Sequence, residues 1–478
     1  MTWRGWLLAA LIALPAMAPP SAQAQFTTEA EEAAQGAQAH KGLVTQFGGV
    51  YDDPDVGLYV AQVGARLLAA AGQQGKEYRF TVLDSDLPNA FALPGGFAYI
   101  TRGMLALINT EAELASVMGH EIGHVIARHS AERQSGAMIT GLLAGAVGVL
   151  TGNNSAAQIA GLLGQGALAS YSRGQEYEAD QLGILYMVAG GWNPLAAGDM
   201  LSGLKRSSDV LEARFGQQDA GWNEFFATHP NTLERIGRAV ALARDTGANG
   251  DYGRDRWMRV SDGLMYLGSP ASGYVRGRDF LHPQLAIAFT VPPGWVLANQ
   301  ATQVSAQGKD GAMAFDMARQ QNRASDPLYY LTQEWLKGRQ SIQPARASFA
   351  GLPAAVTTVR VPTQGGGEQL VQLAVIERAP KQFYRFQFVM RDSRQTQPVV
   401  DTLRSFRRLG PDELRDLHPW RIRVFRVNPG DTIASLSAMM VVPQDKEQTF
   451  RLLNALDAGM ELRPGDLVKI VRDGPLRR

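Results

Sequence analysis

His120-Glu121-Ile122-Gly123-His124 places two imidazoles and a carboxylate within five residues. On an α-helix, positions i and i+4 lie one turn apart, about 40° in azimuth, so both rings leave one face and reach a single ion. Zinc is the expected occupant. Glu121 stands about 100° round the helix, beside the rings, where a carboxylate takes the proton of a water activated by the ion. The chain has only 7 His in 478 residues. At that frequency a chance His-Glu-x-x-His arises in roughly fewer than one random chain per hundred, so two merely structural core histidines are the weaker interpretation.

Two helices must position this chemistry. Thr110 and Glu113 read as a capping box opening a helix at about Glu111, and Leu114, Val117, Met118, Ile122, Val125 and Ile126 recur near the 3.6 period as its buried stripe. A catalytic zinc needs a third protein ligand and an open fourth position. Ser172-Arg-Gly-Gln-Glu176-Tyr-Glu178-Ala-Asp180 supplies candidates: Ser172 with Gln175 caps a second helix that runs through Leu182, Leu185, Tyr186 and Val188 to Gly190-Gly191. Glu176 and Asp180 share a face and Glu178, about 200° from Glu176, does not. Glu176 is therefore the better ligand, and Asp180 can accept a hydrogen bond from a ligating imidazole. An acidic first turn complementing the helix dipole accounts for Glu176 and Glu178 but not for Asp180.

Over roughly Val50 to Val240 the chain resembles the M48 zinc peptidases. The resemblance rests on Asn89-Ala-Phe-Ala-Leu-Pro-Gly-Gly-Phe-Ala-Tyr-Ile-Thr-Arg-Gly103, the helix bearing His120 and His124, Ser-Arg-x-x-Glu176-x-Glu-Ala-Asp180, and Thr228-His229-Pro230 before Glu234-Arg235-Ile236, in that order. It implies Glu176 as third zinc ligand, Asp180 as its companion, and His229 as a loop histidine over the site that stabilises the oxyanion or caps the metal. By itself a His-Pro before a helix is often only a cap or turn.

The first residues read as an address. Arg4, the apolar Trp6–Met17 and Ala22-Gln23-Ala24 describe a signal peptide over 1–24, with the mature chain beginning near Gln25 and a periplasmic destination. The apolar run is too short for a stable span. Without Cys there is neither a lipobox nor a disulfide. The composition, 45% hydrophobic and 19% charged with net charge +1, is globular and gives no support for nucleic acid as a partner.

Residues 25–50 read as a helix or arm, Asp55–Ala71 as a helix, and Tyr78–Leu83 as a strand. Phe97–Thr101 is the candidate edge strand that holds a substrate backbone beside the zinc. The Ala/Gly/Leu-rich residues 136–169 break after about fourteen apolar residues, short of the roughly twenty a bilayer needs, and read as a helical hairpin folded over the site as a lid, with a surface suited to peripheral membrane contact. Helices follow from Trp192 to Arg244, with Phe225–Pro230 a loop and Thr232–Leu242 the last helix. Gly247–Gly253 marks a boundary.

The catalytic domain thus spans 25–250, with a linker over 251–280. Alternating strands at Leu285–Thr290, Ala312–Ala318, Ala354–Val361, Gln369–Glu377 and Phe383–Met390, with helices at Asp326–Lys337 and Thr396–Phe406, make an α+β domain over 281–410. Its Phe289-Thr-Val-Pro-Pro-Gly-Trp295 opening resembles PsbP-type domains. Residues 420–473 resemble a LysM module of order strand, helix, helix, strand, with Val427-Asn-Pro-Gly-Asp-Thr432 and Leu462-Arg-Pro-Gly-Asp466; the likeness implies attachment to peptidoglycan through 421–471.

The expected class is α+β: a mainly helical zincin-type (gluzincin) domain with a small edge-strand sheet, then the PsbP-like domain and the LysM-like module. The expected function is that of a periplasmic endopeptidase with one Zn2+ per chain, hydrolysing peptide bonds in misfolded or stalled envelope and outer-membrane proteins. Its ligands are His120, His124 and Glu176, its base Glu121, and its accessory groups His229 and Asp180. The alternatives are an outer-membrane assembly or quality-control chaperone with gated proteolysis, and a peptidoglycan-associated binding protein.

Overall fold

A computed structural model describes residues 28–129, 171–215, 229, 233–300, 303–318, 326–337, 341–362, 368–392 and 394–474. The expected signal peptide (1–24), the hairpin at 136–169 and the loop before His229 lie outside the described residues. None of the helices among the described residues is long and apolar enough to cross a membrane.

Thr28 and Glu31 close a capping box on α1 (Glu29–Gln46), and Asp53 with Pro54 starts α2 (Pro54–Ala70), which buries Val56, Val60, Val63 and Leu67. A three-stranded sheet follows: β1 (Arg79–Leu83), β2 (Ala90–Leu93) and β3 (Phe97–Thr101). Its order is β1-β3-β2, with β3 parallel to β1 and antiparallel to β2. Phe97–Thr101 is therefore the central strand, which corrects the expectation that it forms the edge. Four of its five residues are buried, as suits a strand paired on both sides. The edge strand packed against the histidine-bearing helix is Ala90–Leu93.

After α3 (Arg102–Leu107), Thr110 caps α4 (Glu111–Ile126) by accepting from the Glu113 amide at 3.0 Å. The Glu113 carboxylate reaches one residue beyond the cap, accepting from the Asn109 amide at 2.6 Å. At the same end the buried Glu111 carboxylate accepts from the Tyr59 hydroxyl, from Trp192 Nε1 at 2.8 Å and from Arg256 Nε at 2.9 Å, pinning the start of the helix. A complete Ser172–Gln175 capping box opens α5 (Arg173–Ala189), which stops at Gly190.

The packing of α4 on α5 is set by glycine. A methyl on Gly183 would sit 2.9 Å from the His120 amide nitrogen, and one on Gly123 would sit 3.0 Å from the Ala179 carbonyl oxygen. Side chains there would push the helices apart, so these glycines bring the first turn of α5 within reach of the α4 histidines. Helices α6 (Ala196–Phe215), α7 (Leu233–Asp245) and α8 (Arg254–Ser261) complete this half.

The middle of the chain builds two antiparallel sheets. Strands β4 (Tyr274–Arg276), β5 (Asp279–His282) and β6 (Ile287–Thr290) pair in sequence, and β14 (Arg407–Arg408) adds to β6. The larger sheet has the order β10-β11-β12-β13-β9-β8-β7, formed by β7 (Val296–Asn299), β8 (Val304–Gly308), β9 (Gly311–Met317), β10 (Ser341–Phe349), β11 (Leu352–Pro362), β12 (Glu368–Ala379) and β13 (Gln382–Met390). Phe280, Phe289, Phe315 and Phe386 meet in its core. The stretch expected as helix at 326–337 is a helical turn, Pro327–Tyr329, running into a π-helical turn, Tyr330–Trp335. Helix α9 (Gln397–Ser405) follows, and α10 (Pro411–Asp416) leads out.

The last module pairs β15 (Trp420–Arg426) with β16 (Leu467–Asp473) around α11 (Ile433–Ala438) and α12 (Lys446–Leu453). Residues 263–266, inside the stretch expected as a linker, pair with β15: the Gly263 amide donates to the Ile422 carbonyl and the Ile422 amide to that of Leu264, both at 2.8 Å. One apolar core runs from Val60, Leu67 and Leu114 through Trp257 to Ile422, Phe450 and Ile470. Lys469, fully buried, donates from Nζ to the carbonyls of Ala106 at 2.6 Å and Ile108 at 2.8 Å, at the C-terminal end of α3. The module is thus packed into the half of the chain that carries the histidines.

Candidate metal centre

The α4 period sends His120 and His124 the same way, and the glycine-mediated approach brings Glu176 of α5 to meet them. Their Nε2 atoms are 3.0 Å apart, and Glu176 Oε1 lies 3.4 Å from His124 Nε2. His229, which precedes α7, places Nδ1 3.2 Å from His120 Nε2 and 3.0 Å from Glu176 Oε1. All four residues are buried, with one donor atom of each within 4.8 Å of every other.

These residues fit a metal ion on three counts. Bonds of about 2.0–2.1 Å in tetrahedral array separate their donors by about 3.4 Å, close to the spacings above. His120 Nδ1 lies 2.8 Å from Asp180 Oδ1, an atom that only accepts, so the neutral ring turns its Nε2 lone pair toward His124 Nε2. A second lone pair on His124 Nε2, 3.0 Å away, would repel it unless a cation lay between them. Finally, Glu121 is 3% exposed and, among the described residues, neither carboxylate oxygen has a hydrogen-bond partner. His229 Nε2 lies 3.7 Å from Oε1.

Burial raises the pKa of Glu121, as a general base working near neutral pH requires. Burial holds His124 down at about 2, with the neighbouring His120 charge acting in the same direction. Burial also opposes ionisation of Glu176 and Asp180, but the rings of His229, His124 and His120 hold Glu176 below the usual carboxylate range, and the Arg235 guanidinium brings Asp180 to about 2.

Arg235 received no role in the sequence reading. It is 3% exposed on the buried stripe of α7, donates from Nε and a terminal nitrogen to Asp180 at 2.6 and 2.8 Å, and pairs with Glu176 Oε2. The fork neutralises the far oxygen of Glu176 and leaves Oε1 toward the histidines. The available signal was a cation in register with Ala239 and Ala243 on the buried face. Tyr171, also missed, stacks on His124 with ring centroids 3.7 Å apart. Residues Glu121, His120, His124, Glu176, Asp180 and His229 are thus all brought together.

A mixed helix-and-sheet fold in which two helices converge a buried His-His-Glu-His group defines a metal-site protein with a carboxylate held in reserve. Residues 55–243 match the model of peptidase family M48, and over that segment the chain is similar to this family of metallopeptidases. Mitochondrial metalloendopeptidase OMA1 of Schizosaccharomyces pombe is 35% identical over 182 residues, 37% of this chain and 50% of its own length. Beta-barrel assembly-enhancing protease of Escherichia coli is 31% identical over 199 residues, 39% of each chain. The chain therefore spans half or less of the length of these curated relatives. A solution structure of cyanobacterial PsbP from Synechocystis sp. covers 30% of this chain and 98% of that one at 15% identity, with a TM-score of 0.22.

Proposed function

We propose that the chain is a zinc-dependent endopeptidase of the periplasm, with one Zn2+ held by His120, His124 and Glu176, acting on misfolded or stalled envelope proteins, outer-membrane proteins among them. The observation that carries the reading is a buried carboxylate, Glu121, with both oxygens free of hydrogen bonds to the described residues, beside a donor set of tetrahedral spacing. The family match and the relative named for β-barrel assembly support the reaction and the substrate class.

A zinc ion at this position supplies Lewis acidity toward a carbonyl oxygen and toward water. Glu121 takes a proton from the attacking water and returns it to the departing amine, so one water is consumed and one peptide bond broken. Arg235 and Asp180 hold the His120 ring in the tautomer that presents Nε2. The substrate backbone adds to Ala90–Leu93, the strand left at the sheet edge.

His229 Nδ1 lies among the same donors, 3.2 Å from His120 Nε2 and 3.0 Å from Glu176 Oε1, which favours a gated resting form: the ring would have to swing clear before a carbonyl could approach, and from there it would donate to the oxyanion. His229→Ala is expected to keep zinc, since three ligands remain, and to lose on the order of a hundredfold in kcat. Zinc analysis alongside steady-state kinetics checks this, and loss of the metal would contradict it.

The proposal as a whole is tested with purified full-length protein and β-casein. Cleavage should stop with 1,10-phenanthroline and return with added zinc; cleavage indifferent to the chelator, or none by zinc-loaded protein, overturns it.

A further inference from the structure

Glu178 points away from Glu176 on α5 and was explained above by the helix dipole alone. The structure gives it a second partner. Helix α4 ends at Ile126, the Ala127 amide bonds back to the Gly123 carbonyl at 2.9 Å, and Arg128 takes the left-handed conformation at φ 56°. A non-glycine residue rarely adopts that conformation, and the surroundings must hold it there. The reversal folds His129 back under the helix, where it is 1% exposed. Its Nδ1 lies 2.8 Å from His124 Nδ1, and its Nε2 3.3 Å from Glu178 Oε2.

With a neutral His129, only one arrangement of protons satisfies both contacts. A carboxylate accepts, so His129 carries its proton on Nε2, toward Glu178, and its Nδ1 is a lone pair. That lone pair accepts from His124 Nδ1–H, which leaves the Nε2 of His124 unprotonated and aimed at the site. With the opposite polarity, His129 Nε2 would turn a lone pair on a carboxylate and His124 would carry its proton on the very nitrogen that faces Glu176.

We propose that His129, backed by Glu178, is the positioning residue that fixes the tautomer and ring orientation of His124 for metal binding. The inference rests on the zinc reading above. One turn of α5 then serves the whole centre: Glu176 faces the donor set, Asp180 orients His120 directly, and Glu178 orients His124 through His129. Glu178 is 59% exposed at its side chain, so water screens its share and the larger effect belongs to His129.

The test is zinc affinity of the purified full-length protein, measured by competition with a chromophoric chelator, for wild type, His129→Leu, His129→Gln and Glu178→Leu. His129→Leu should weaken zinc binding by about 10–100-fold. His129→Gln should recover most of that loss, because its amide oxygen accepts from His124 and its amide nitrogen donates to Glu178. Glu178→Leu should cost several-fold. Wild-type affinity in His129→Leu, or a glutamine variant no better than leucine, overturns the inference while leaving the zinc reading intact. Wild-type protein that takes up no zinc overturns the zinc reading itself. Should His129→Leu fail to give the wild-type circular dichroism spectrum, the exposed Glu178→Leu decides: several-fold weakening supports the chain and unchanged affinity overturns it.

Discussion

Glu121→Gln should abolish most peptide hydrolysis while leaving zinc content at the wild-type level. General-base catalysis by a positioned side chain contributes roughly 10²–10⁴-fold, and an amide cannot take the proton. The variant is close to isosteric, and the carboxylate it replaces has no hydrogen bond to the described residues to lose. Burying an amide in place of a carboxylate whose pKa burial already raises should not destabilise the fold. Casein hydrolysis and zinc analysis on one preparation give the answer. Residual cleavage within about tenfold of wild type would place the base elsewhere.

Arg235→Leu should produce the largest loss of stability. The guanidinium is buried against two carboxylates, Glu176, itself buried, and Asp180, 13% exposed at its side chain, so its removal strands two negative charges. Breaking a buried pair by deleting one partner costs about 3–5 kcal/mol. Zinc should recover part of this, since a ligand that binds only the folded state stabilises it and Glu176 gains a cation. Denaturant unfolding with and without zinc measures both terms. A loss under about 1 kcal/mol in the chelated protein would mean that the two carboxylates do not depend on Arg235.

What could be read in advance followed from local periodicity. His120, Glu121 and His124 lie within one helical turn of one another, and azimuth alone ranked Glu176 above Glu178. The caps at Thr110 and Ser172 set both helix starts. What escaped depended on distant segments. The reversal that brings His129 to His124 needs a left-handed Arg128, and arginine has no sequence preference for that conformation. The central place of Phe97–Thr101 comes from its parallel pairing with Arg79–Leu83, which alternation does not encode. Lys469 reads as the solvent-facing residue of an alternating strand; only the α3 carbonyls, more than 350 positions earlier, explain its burial. The same holds for the core shared between the last module and α2, α4 and α8.

The central claim is that two imidazoles of α4 and one carboxylate of α5 share a cation. Zinc K-edge X-ray absorption on the zinc-loaded full-length protein tests it most directly. The expected spectrum has a four-coordinate nitrogen and oxygen shell at about 2.0–2.1 Å, with outer-shell scattering of at least two imidazoles that weakens in His120→Ala and in His124→Ala. A spectrum without imidazole scattering, or one unchanged by those substitutions, would contradict it.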